Sequence, residues 1–418
     1  MIADTPGLLD AIRARFAHVD SCPFTGPRIF FENAGGALTL TAVAETSARF
    51  AAIPDNQGRD NPASAALGEI IAKAKEDARG FFNAPEGGQI FVGESGTELL
   101  FRLIADACLG APEGGVVLGS TIEHPASRSA AARWSEVAGK RHVLIPHDDA
   151  TGLVTAEAYA AAVTPDVRVA TILHTSPVTG MSMDLAAIAA AIRAVAPEAY
   201  IIVDGIQHAC HGGIDLTAAG VDGYVISPYK VFSRHGYGLA YASDRLSALP
   251  HNALMNGPKG TWELGTRDTG AYATFSDVVD YFEWLGGQVS DATDPRELIV
   301  AAGHAIHEQE ARLCQVALHG TGNLKGLAEL PGVTIVGGID NAAREGLVSF
   351  YAEGHPSPEI VAALRDEGIR VHTRKADHYS GNVLTPLGQA DCVRVSFCHY
   401  NSEAEVAALL SAMARILD

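Results

Sequence analysis

Residues 203–230, VDGIQHACHGGIDLTAAGVDGYVISPYK, decide the fold of this chain. An apolar run, YIIVD (200–204), ends on Asp204, and a second run, GYVIS (223–227), is followed closely by Lys230. Such runs, alternating with helical stretches, are typical of a parallel sheet, which places functional residues at the carboxyl ends of its strands. Burying a lysine ammonium there costs several kcal/mol unless the amine is paired or uncharged. Lys230 therefore either extends to water or is not a free amine.

The alternation continues on both sides, from about Phe91 to Tyr241. The predicted strands are GGVVLGS (114–120), RHVLIPH (141–147), VRVATILHTS (167–176), AYIIVDG (199–205), DGYVISP (222–228) and GLAYAS (238–243). From about Asp277 a long helical stretch leads into short strands and further helices, which is typical of a smaller α+β domain with a mostly antiparallel sheet. We predict an α/β fold with a large, mostly parallel domain, a small α+β domain, and a site in the crevice between them.

The composition of the chain excludes several functional classes. Its 418 residues are 47% hydrophobic and 19% charged, as in an ordinary globular protein of two or three domains. The formal charge of -19 argues against binding to nucleic acid or to anionic lipid. The six cysteines form no C-x-x-C pair, which fits a reducing compartment. With no signal peptide and no apolar stretch long enough to span a bilayer, we expect a cytoplasmic protein that binds neither nucleic acid nor membrane.

Asp204 and Lys230 together indicate a specific cofactor. A lysine that forms a Schiff base with an aldehyde resolves the burial problem, because the free ammonium no longer exists. A carboxylate at a strand end keeps a heterocyclic nitrogen protonated and turns the ring into an electron sink. This pairing is the one expected for pyridoxal 5'-phosphate. His124, after the strand GGVVLGS, is placed to stack on the ring and to handle protons, so the predicted catalytic residues are Lys230, Asp204 and His124.

The cofactor phosphate requires hydrogen-bond donors. Gly96 and Thr97 stand at the start of a predicted helix in GESGTELL (93–100), where free backbone N–H groups and the helix dipole favour an anion. Ser227 and Tyr229, just before the lysine, offer hydroxyl groups to the same phosphate. Many helices begin with such a pair, so these residues indicate a phosphate site only in combination with Lys230.

Several further motifs occur in a characteristic order. They are FFENAGG (30–36), SGTE (95–98), HTSPVTG (174–180), SPYK (227–230), ELGT (263–266) and RVSFCHYN (394–401). In order and spacing they resemble the class V pyridoxal-phosphate enzymes, the cysteine-desulfurase-like group, over nearly the whole chain. The resemblance implies an aspartate-aminotransferase-type fold, with a large cofactor domain at 16–285 and a small domain built from 1–15 and 286–418. It also implies a homodimer with shared active sites.

The resemblance assigns roles to further residues. Gln207 would lie near the phenolic oxygen of the cofactor ring, and Thr266 would reach the phosphate from a second subunit. Arg394 matches the arginine that binds the substrate carboxylate, a role suited to a bidentate guanidinium. Asn33 would border that pocket, and His372 stands where the group often has another arginine. On the residues alone, a surface ion pair is the less favoured alternative for Arg394, whereas Thr266 is equally a candidate for a helix or turn cap.

The chain departs from the desulfurase pattern at three places. The nucleophilic cysteine of that group aligns near Asp377, and the loop 372–382 contains no cysteine. Pro177 replaces an asparagine that hydrogen-bonds the ring oxygen, and its TSP motif is similar to the epimerase-type branch. Tyr229 stands where desulfurases usually show histidine. Cys398 is a possible substitute thiol, because the period of two in a strand puts it on the same face as Arg394.

These features predict a pyridoxal-phosphate-dependent transformation of a small α-amino acid through an external aldimine, by an aminotransferase or a β-lyase. The alternatives are a cysteine desulfurase or selenocysteine lyase type of activity, an epimerase, and a catalytically silent cofactor-binding protein. His208 and His211 raise the question of a metal, but no third ligand has recognisable spacing. We therefore expect structural histidines and no metal site. Tyr379 and Asn382 in the variable loop are candidates for substrate contact.

Overall fold

A computed structural model describes residues 2–258 and 260–418 of the chain. The helices in these ranges are α1 (Leu8–Arg13), α2 (Thr41–Ala51), α3 (Pro62–Phe82), α4 (Gly96–Gly110), α5 (Pro125–Val137), α6 (Ala156–Ala162), α7 (Leu185–Val195), α8 (Leu216–Ala219), α9 (Asp244–Ser247), α10 (Thr269–Val289), α11 (Pro295–His319), α12 (Ser357–Asp366), α13 (Gly381–Leu384) and α14 (Glu403–Leu417). The strands are β1 (Ser21–Cys22), β2 (Gly26–Pro27), β3 (Ile29–Phe30), β4 (Gln89–Gly93), β5 (Val116–Ser120), β6 (Arg141–Ile145), β7 (Val167–Leu173), β8 (Tyr200–Asp204), β9 (Gly223–Ile226), β10 (Gly238–Ala242), β11 (Val333–Ile335), β12 (Leu347–Ala352), β13 (Ile369–Arg370), β14 (His372–Lys375) and β15 (Asp391–Ser396). None of these helices combines the length and the apolar character needed to cross a bilayer.

The larger sheet, as far as the chain is described, has seven strands in the order β4-β10-β9-β8-β7-β5-β6. Strand β10 runs antiparallel to both β4 and β9, and the remaining neighbours are parallel. Strands β5, β9 and β10 are buried along their whole length, because helices cover both faces of the sheet. The predicted large domain with a mixed, mostly parallel sheet is confirmed.

The smaller sheet pairs β11, β12, β15 and β14 in that order, with every neighbour antiparallel. A second hydrophobic core lies against it, with Val348, Phe350 and Val395 among its fully buried members. Helix α12 packs against β14 and β15, and α14 packs against α12 and adds Val406 and Leu409 to the same core. This arrangement confirms the small α+β domain expected from the change of pattern after Asp277.

Helix α11 joins the two cores. Asp294 caps its N-terminus by accepting a hydrogen bond from the backbone N–H of Glu297, and Pro295 follows at the first helical position. Along its length, Ile306 packs into the core of the large sheet, whereas Leu313 packs into the second core. Side chains of α11 therefore reach both domains.

The N-terminal segment of the chain packs into both hydrophobic cores. Ile2, Leu8 and Ile12 pack into the core of the large sheet, although the sequence assigns residues 1–15 to the small domain. Phe31 packs into the second core, and β3 pairs in parallel with β13. The division at residues 15 and 285 stays a prediction.

Candidate active site

Two neighbouring strands build the centre of the site. Strands β8 and β9 are parallel, with Asp204 opposite Val225, so both end at the same edge of the sheet. Asp204 is the last residue of β8, and Lys230 ends a short 3-10 turn that follows β9. A cleft of about 380 Å³ opens there. Its lining residues are Thr97, His124, Leu173, Pro177, Asp204, Ile206, Gln207, Ser227, Tyr229 and Lys230.

Lys230 directs its amine into this cleft. The Nζ atom donates a hydrogen bond to Oε1 of Gln207 at 3.2 Å. Burial lowers the pKa of Lys230 to about 8, and the positive charge of Arg394 acts in the same direction, while Asp204 opposes both. At a pKa of about 8 roughly a tenth of the amine is uncharged at pH 7, and this is the form that acts as a nucleophile or a base.

Asp204 is buried at the floor of the cleft. Its Oδ1 accepts a hydrogen bond from the backbone N–H of Ile206 at 3.1 Å. Burial raises the pKa of Asp204 to about 6, against the effects of that hydrogen bond and of Lys230. A protonated ring nitrogen placed against this carboxylate would supply the missing counter-charge and hold it ionised.

His124 lies at the N-terminus of α5. Its Nδ1 accepts a hydrogen bond from the backbone N–H of Ala126 at 3.2 Å, so the neutral ring carries its proton on Nε2. Burial, reinforced by the charges of Lys230 and Arg374, lowers the pKa of His124 to about 3. The imidazole is therefore neutral at physiological pH and suited to stacking on an aromatic ring.

The N-terminus of α4 forms a close cradle at the opposite end of the cleft. Ser95 caps the helix, and a Cβ atom added to Gly96 would lie 2.4 Å from Oγ of Ser227. A Cβ atom on Gly238 would lie 2.4 Å from the carbonyl carbon of Ser95. The absence of a side chain at these two glycines lets the segments approach closely. The N–H groups at the start of α4 and the hydroxyl of Ser227 therefore lie near one another. A phosphate fits such a donor set.

Arg394 comes from the small domain and is buried. Its Nη1 donates to the carbonyl of Pro177 at 3.0 Å, and Pro177 lines the cleft, although Arg394 itself does not. Nε of Arg394 is buried without a hydrogen-bond partner. Burial, together with the charge of Arg374, lowers the pKa of Arg394 to about 9. The guanidinium is charged at neutral pH and has donors left for an anion.

Three further predicted site residues do not line the cleft. Asn33 is buried and fully engaged, since its Nδ2 donates to the carbonyl of Ser396 at 2.7 Å and its Oδ1 accepts from the hydroxyl of Tyr400 at 2.5 Å. Nδ1 of His372 lies 3.2 Å from a carboxylate oxygen of Glu32. Thr266 is exposed and does not line the cleft of its own chain.

A row of buried side chains behind Gln207 was missed by the sequence analysis. Nε2 of Gln207 lies 3.0 Å from Nε2 of His211, and Nδ1 of His211 lies 2.7 Å from Oε2 of Glu310. The only local signal is that His211 follows Gln207 by four residues. Beside this row, Nδ1 of His208 lies 2.7 Å from Oε1 of Glu345. Both histidines of the HACH motif thus have carboxylate partners, and the expectation of no metal site stays a prediction.

The cysteines do not reach the cleft in the part of the chain that the structure describes. Cys398 is fully buried, and its thiol is in hydrogen-bond contact with that of Cys210. Cys392 shares a sheet face with Arg394, but burial raises its pKa to about 12. A thiol in this state is protonated and unreactive.

Comparison with known proteins places this geometry in a family. The family model described as "Aminotransferase class-V" matches residues 29–292 and 297–409. A probable cysteine desulfurase of Vibrio cholerae is 23% identical over 98% of both chains. One from Mycolicibacterium paratuberculosis is 26% identical over 98% of this chain, which spans only 58% of that relative's length.

A solved structure has the same fold. The cysteine desulfurase CsdA of Escherichia coli superposes with a TM-score of 0.78 at 23% identity, covering 98% of each chain. The family resemblance that the sequence motifs predicted is confirmed. The chain belongs to the class V aminotransferases, a family of enzymes that depend on pyridoxal 5'-phosphate.

Proposed function

We propose that this chain catalyses the transformation of a small α-amino acid at its Cα atom, as an aminotransferase or a β-lyase. The observation that carries the proposal is the convergence of Lys230, Asp204 and His124 on one cleft. Bound pyridoxal phosphate supplies an electron sink that stabilises negative charge at the substrate Cα. The remaining requirements, which are a base, a ring partner and a carboxylate anchor, fall to side chains of this protein.

The protonation state of each side chain decides which of these roles it can take. Lys230, with its pKa lowered to about 8, takes the proton from Cα and returns it to a carbon atom of the reacting system. With pyridoxal phosphate bound, the Asp204 carboxylate would pair with the ring nitrogen and neutral His124 would cover the ring face. The guanidinium of Arg394 fixes the substrate carboxylate and so orients the Cα–H bond toward Lys230. Gly96, Thr97, Ser227 and Tyr229 hold the phosphate.

Sulfur transfer to the protein is not part of this proposal. The segment between β14 and β15 has no cysteine, and the nearby Cys392 is buried with a raised pKa. The names of the relatives favour removal of sulfur from cysteine as a second candidate function. In that case cysteine would become alanine and release sulfur at the oxidation level of elemental sulfur. A small external thiol would have to accept that sulfur as a persulfide, because no reactive thiol among the described residues lines the cleft.

We also propose a cytoplasmic homodimer in which a second copy completes the site. Thr266 is exposed on the single chain, as a residue that serves another subunit must be. Leu254 and Met255, in the segment before it, leave 67% and 92% of their surfaces exposed. Apolar side chains at this exposure are typical of a contact surface. Sedimentation of the purified holoenzyme at several concentrations tests this arrangement.

The proposed function is tested by titrating the yellow holoenzyme with a panel of amino acids, L-cysteine included. Keto acid with bleaching of the yellow band identifies an aminotransferase and its donor. Keto acid plus ammonia, with the band unchanged, identifies a lyase. Alanine formed from L-cysteine, with sulfide appearing only when a thiol reductant is added, would support the second candidate instead. A protein that stays colourless and unreactive after addition of pyridoxal phosphate would refute the role of Lys230.

A further inference from the structure

Strand β14 carries a second arginine on the face of the small sheet that holds Arg394. In the antiparallel pairing of β14 with β15, His372 lies opposite Arg394 and Arg374 lies opposite Cys392. Because side chains alternate along a strand, all four point to one face. Arg374 and Arg394 are therefore diagonal neighbours, a relationship in which long side chains reach one another.

The loop after β14 holds Arg374 close to the cleft. Nε of Arg374 donates to Oγ of Ser380 at 2.8 Å, and its guanidinium lies 5.8 Å from the ring centre of Tyr379. The Tyr379 ring in turn lies 5.9 Å from the ring of His124, which lines the cleft. Nδ2 of Asn382 donates to the carbonyl of Thr121 at 2.8 Å and ties the same loop to the large domain.

Neither guanidinium forms a contact ion pair with a described residue, although Asp377 acts on Arg374 and Glu32 on Arg394 at longer range. Within residues 2–258 and 260–418, no carboxylate oxygen lies within 4.0 Å of a nitrogen of Arg374 or Arg394. The nearby Glu32 is already occupied, with Nε of Arg370 at 2.7 Å. Arg394 is buried and Arg374 is half-buried. Cations withdrawn from water in this way normally have an anionic partner, because the desolvation of an unpaired charge is costly.

The charge of Arg374 also reaches the reactive groups. It lowers the pKa of Lys230 and that of His124, so these groups share one electrostatic environment. The chain as a whole carries a formal charge of -19, so this cluster of cations is a local exception. One substrate carboxylate accounts for one of the two arginines. A second anionic group is needed to account for the other.

We propose that the substrate is an α-amino acid with a second acidic group, in the simplest case a side-chain carboxylate. Arg394 binds the α-carboxylate and Arg374 binds the second group. This inference rests on the proposed function, since it assigns the substrate class of the same cleft. A planar guanidinium binds a carboxylate through two parallel hydrogen bonds, which gives selectivity against the uncharged amide of the same shape.

The test uses acids that bind without reacting. Isothermal titration calorimetry of the holoenzyme compares succinate with butyrate and glutarate with valerate, two pairs matched in chain length. We expect the better dicarboxylate to bind at least about 10-fold more tightly than its monocarboxylate partner. Arg374→Gln should abolish this preference and leave monocarboxylate binding unchanged. Lys375→Gln, which removes an exposed cation from the opposite face of β14, should keep the preference.

Two results would overturn the inference. One is equal affinity of the unmodified enzyme for dicarboxylates and monocarboxylates. The other is an equal loss of affinity for both kinds of acid in the Arg374→Gln variant. Titration with alanine, aspartate and glutamate separates this inference from the proposed function. Turnover of alanine alone would remove the acidic-substrate inference and leave the proposed function intact. No spectral change with any amino acid would refute both.

Discussion

Nδ1 of His211 lies 2.7 Å from Oε2 of Glu310, although 99 residues of chain separate the two. Both side chains are almost completely buried. Through its other ring nitrogen His211 meets Gln207, whose Oε1 accepts from the amine of Lys230. A continuous row of four side chains thus connects helix α11 with the reactive lysine.

Removing His211 should destabilise the fold. His211→Ala leaves the Glu310 carboxyl group buried without its partner, and we expect the free energy of unfolding to fall by about 3 kcal/mol. Urea unfolding followed by circular dichroism measures this change. His304→Ala is the matched control, because His304 is exposed on the same helix as Glu310 and should change stability by less than about 0.5 kcal/mol. Equal effects of the two substitutions would contradict the pairing.

Lys230→Ala should weaken the retention of the cofactor without changing the stability of the fold. Without the amine the cofactor is held only by non-covalent contacts, so dialysis should remove its absorbance while the unfolding midpoint of the apo-protein is unchanged. Turnover should fall by about 1,000-fold or more, because the general base is lost. Lys325→Ala, an exposed lysine far along the chain, is the control and should retain colour and turnover. Retained turnover in Lys230→Ala would disprove the assignment.

Gly96→Ala should weaken cofactor binding. The added methyl group would lie 2.4 Å from Oγ of Ser227, so the N-terminus of α4 or the serine must shift away from the phosphate. We expect the dissociation constant for pyridoxal phosphate to rise by about 10-fold or more, measured by equilibrium titration of the apo-protein. The control is Gly80→Ala in helix α3, where nothing lies within 4 Å of the added carbon. That variant should bind the cofactor normally and gain about 0.5–1 kcal/mol in stability.

Glu345 should make stability depend on acid pH. Burial alone would raise its pKa, but the charge and hydrogen bond of His208 lower the pKa from 4.5 to about 2. The carboxylate is favoured in the folded state, so its contribution of about 3 kcal/mol is present above the unfolded pKa and is lost as the pH falls toward 2. The stability difference between the unmodified protein and Glu345→Gln should therefore shrink between about pH 5 and pH 2. The exposed Glu359→Gln should show no such trend.

The alternating pattern and the two strand ends were enough to predict the large sheet, Asp204 and Lys230. Each residue stands at or just after the end of an apolar strand. The two strands, β8 and β9, are consecutive in the chain and pair in parallel through one crossover connection. The donor set of α4 was likewise readable, because Gly96 directly follows a serine cap. The sequence therefore predicted the centre of the cleft and most residues that line it.

Long-range pairs could not be predicted in this way. The partner of His211 lies on α11, and the position of Arg374 beside Arg394 depends on the register of β14 against β15. A shift of one residue in that register would turn Arg374 to the other face. The contacts of Asn33 are also long-range, since its amide is used by Ser396 and Tyr400, and its place beside the substrate pocket stays a prediction.

The hydrogen bond from Arg394 to the carbonyl of Pro177 has a consequence for affinity. A free arginine side chain loses considerable rotamer entropy when a ligand orders it. Here Nη1 is already held, so that entropy is lost when the chain folds rather than when a ligand arrives. Preorganisation of this kind increases affinity without adding a contact. A proline carbonyl that takes no part in the proposed chemistry would thus increase the affinity of Arg394 for a small anion.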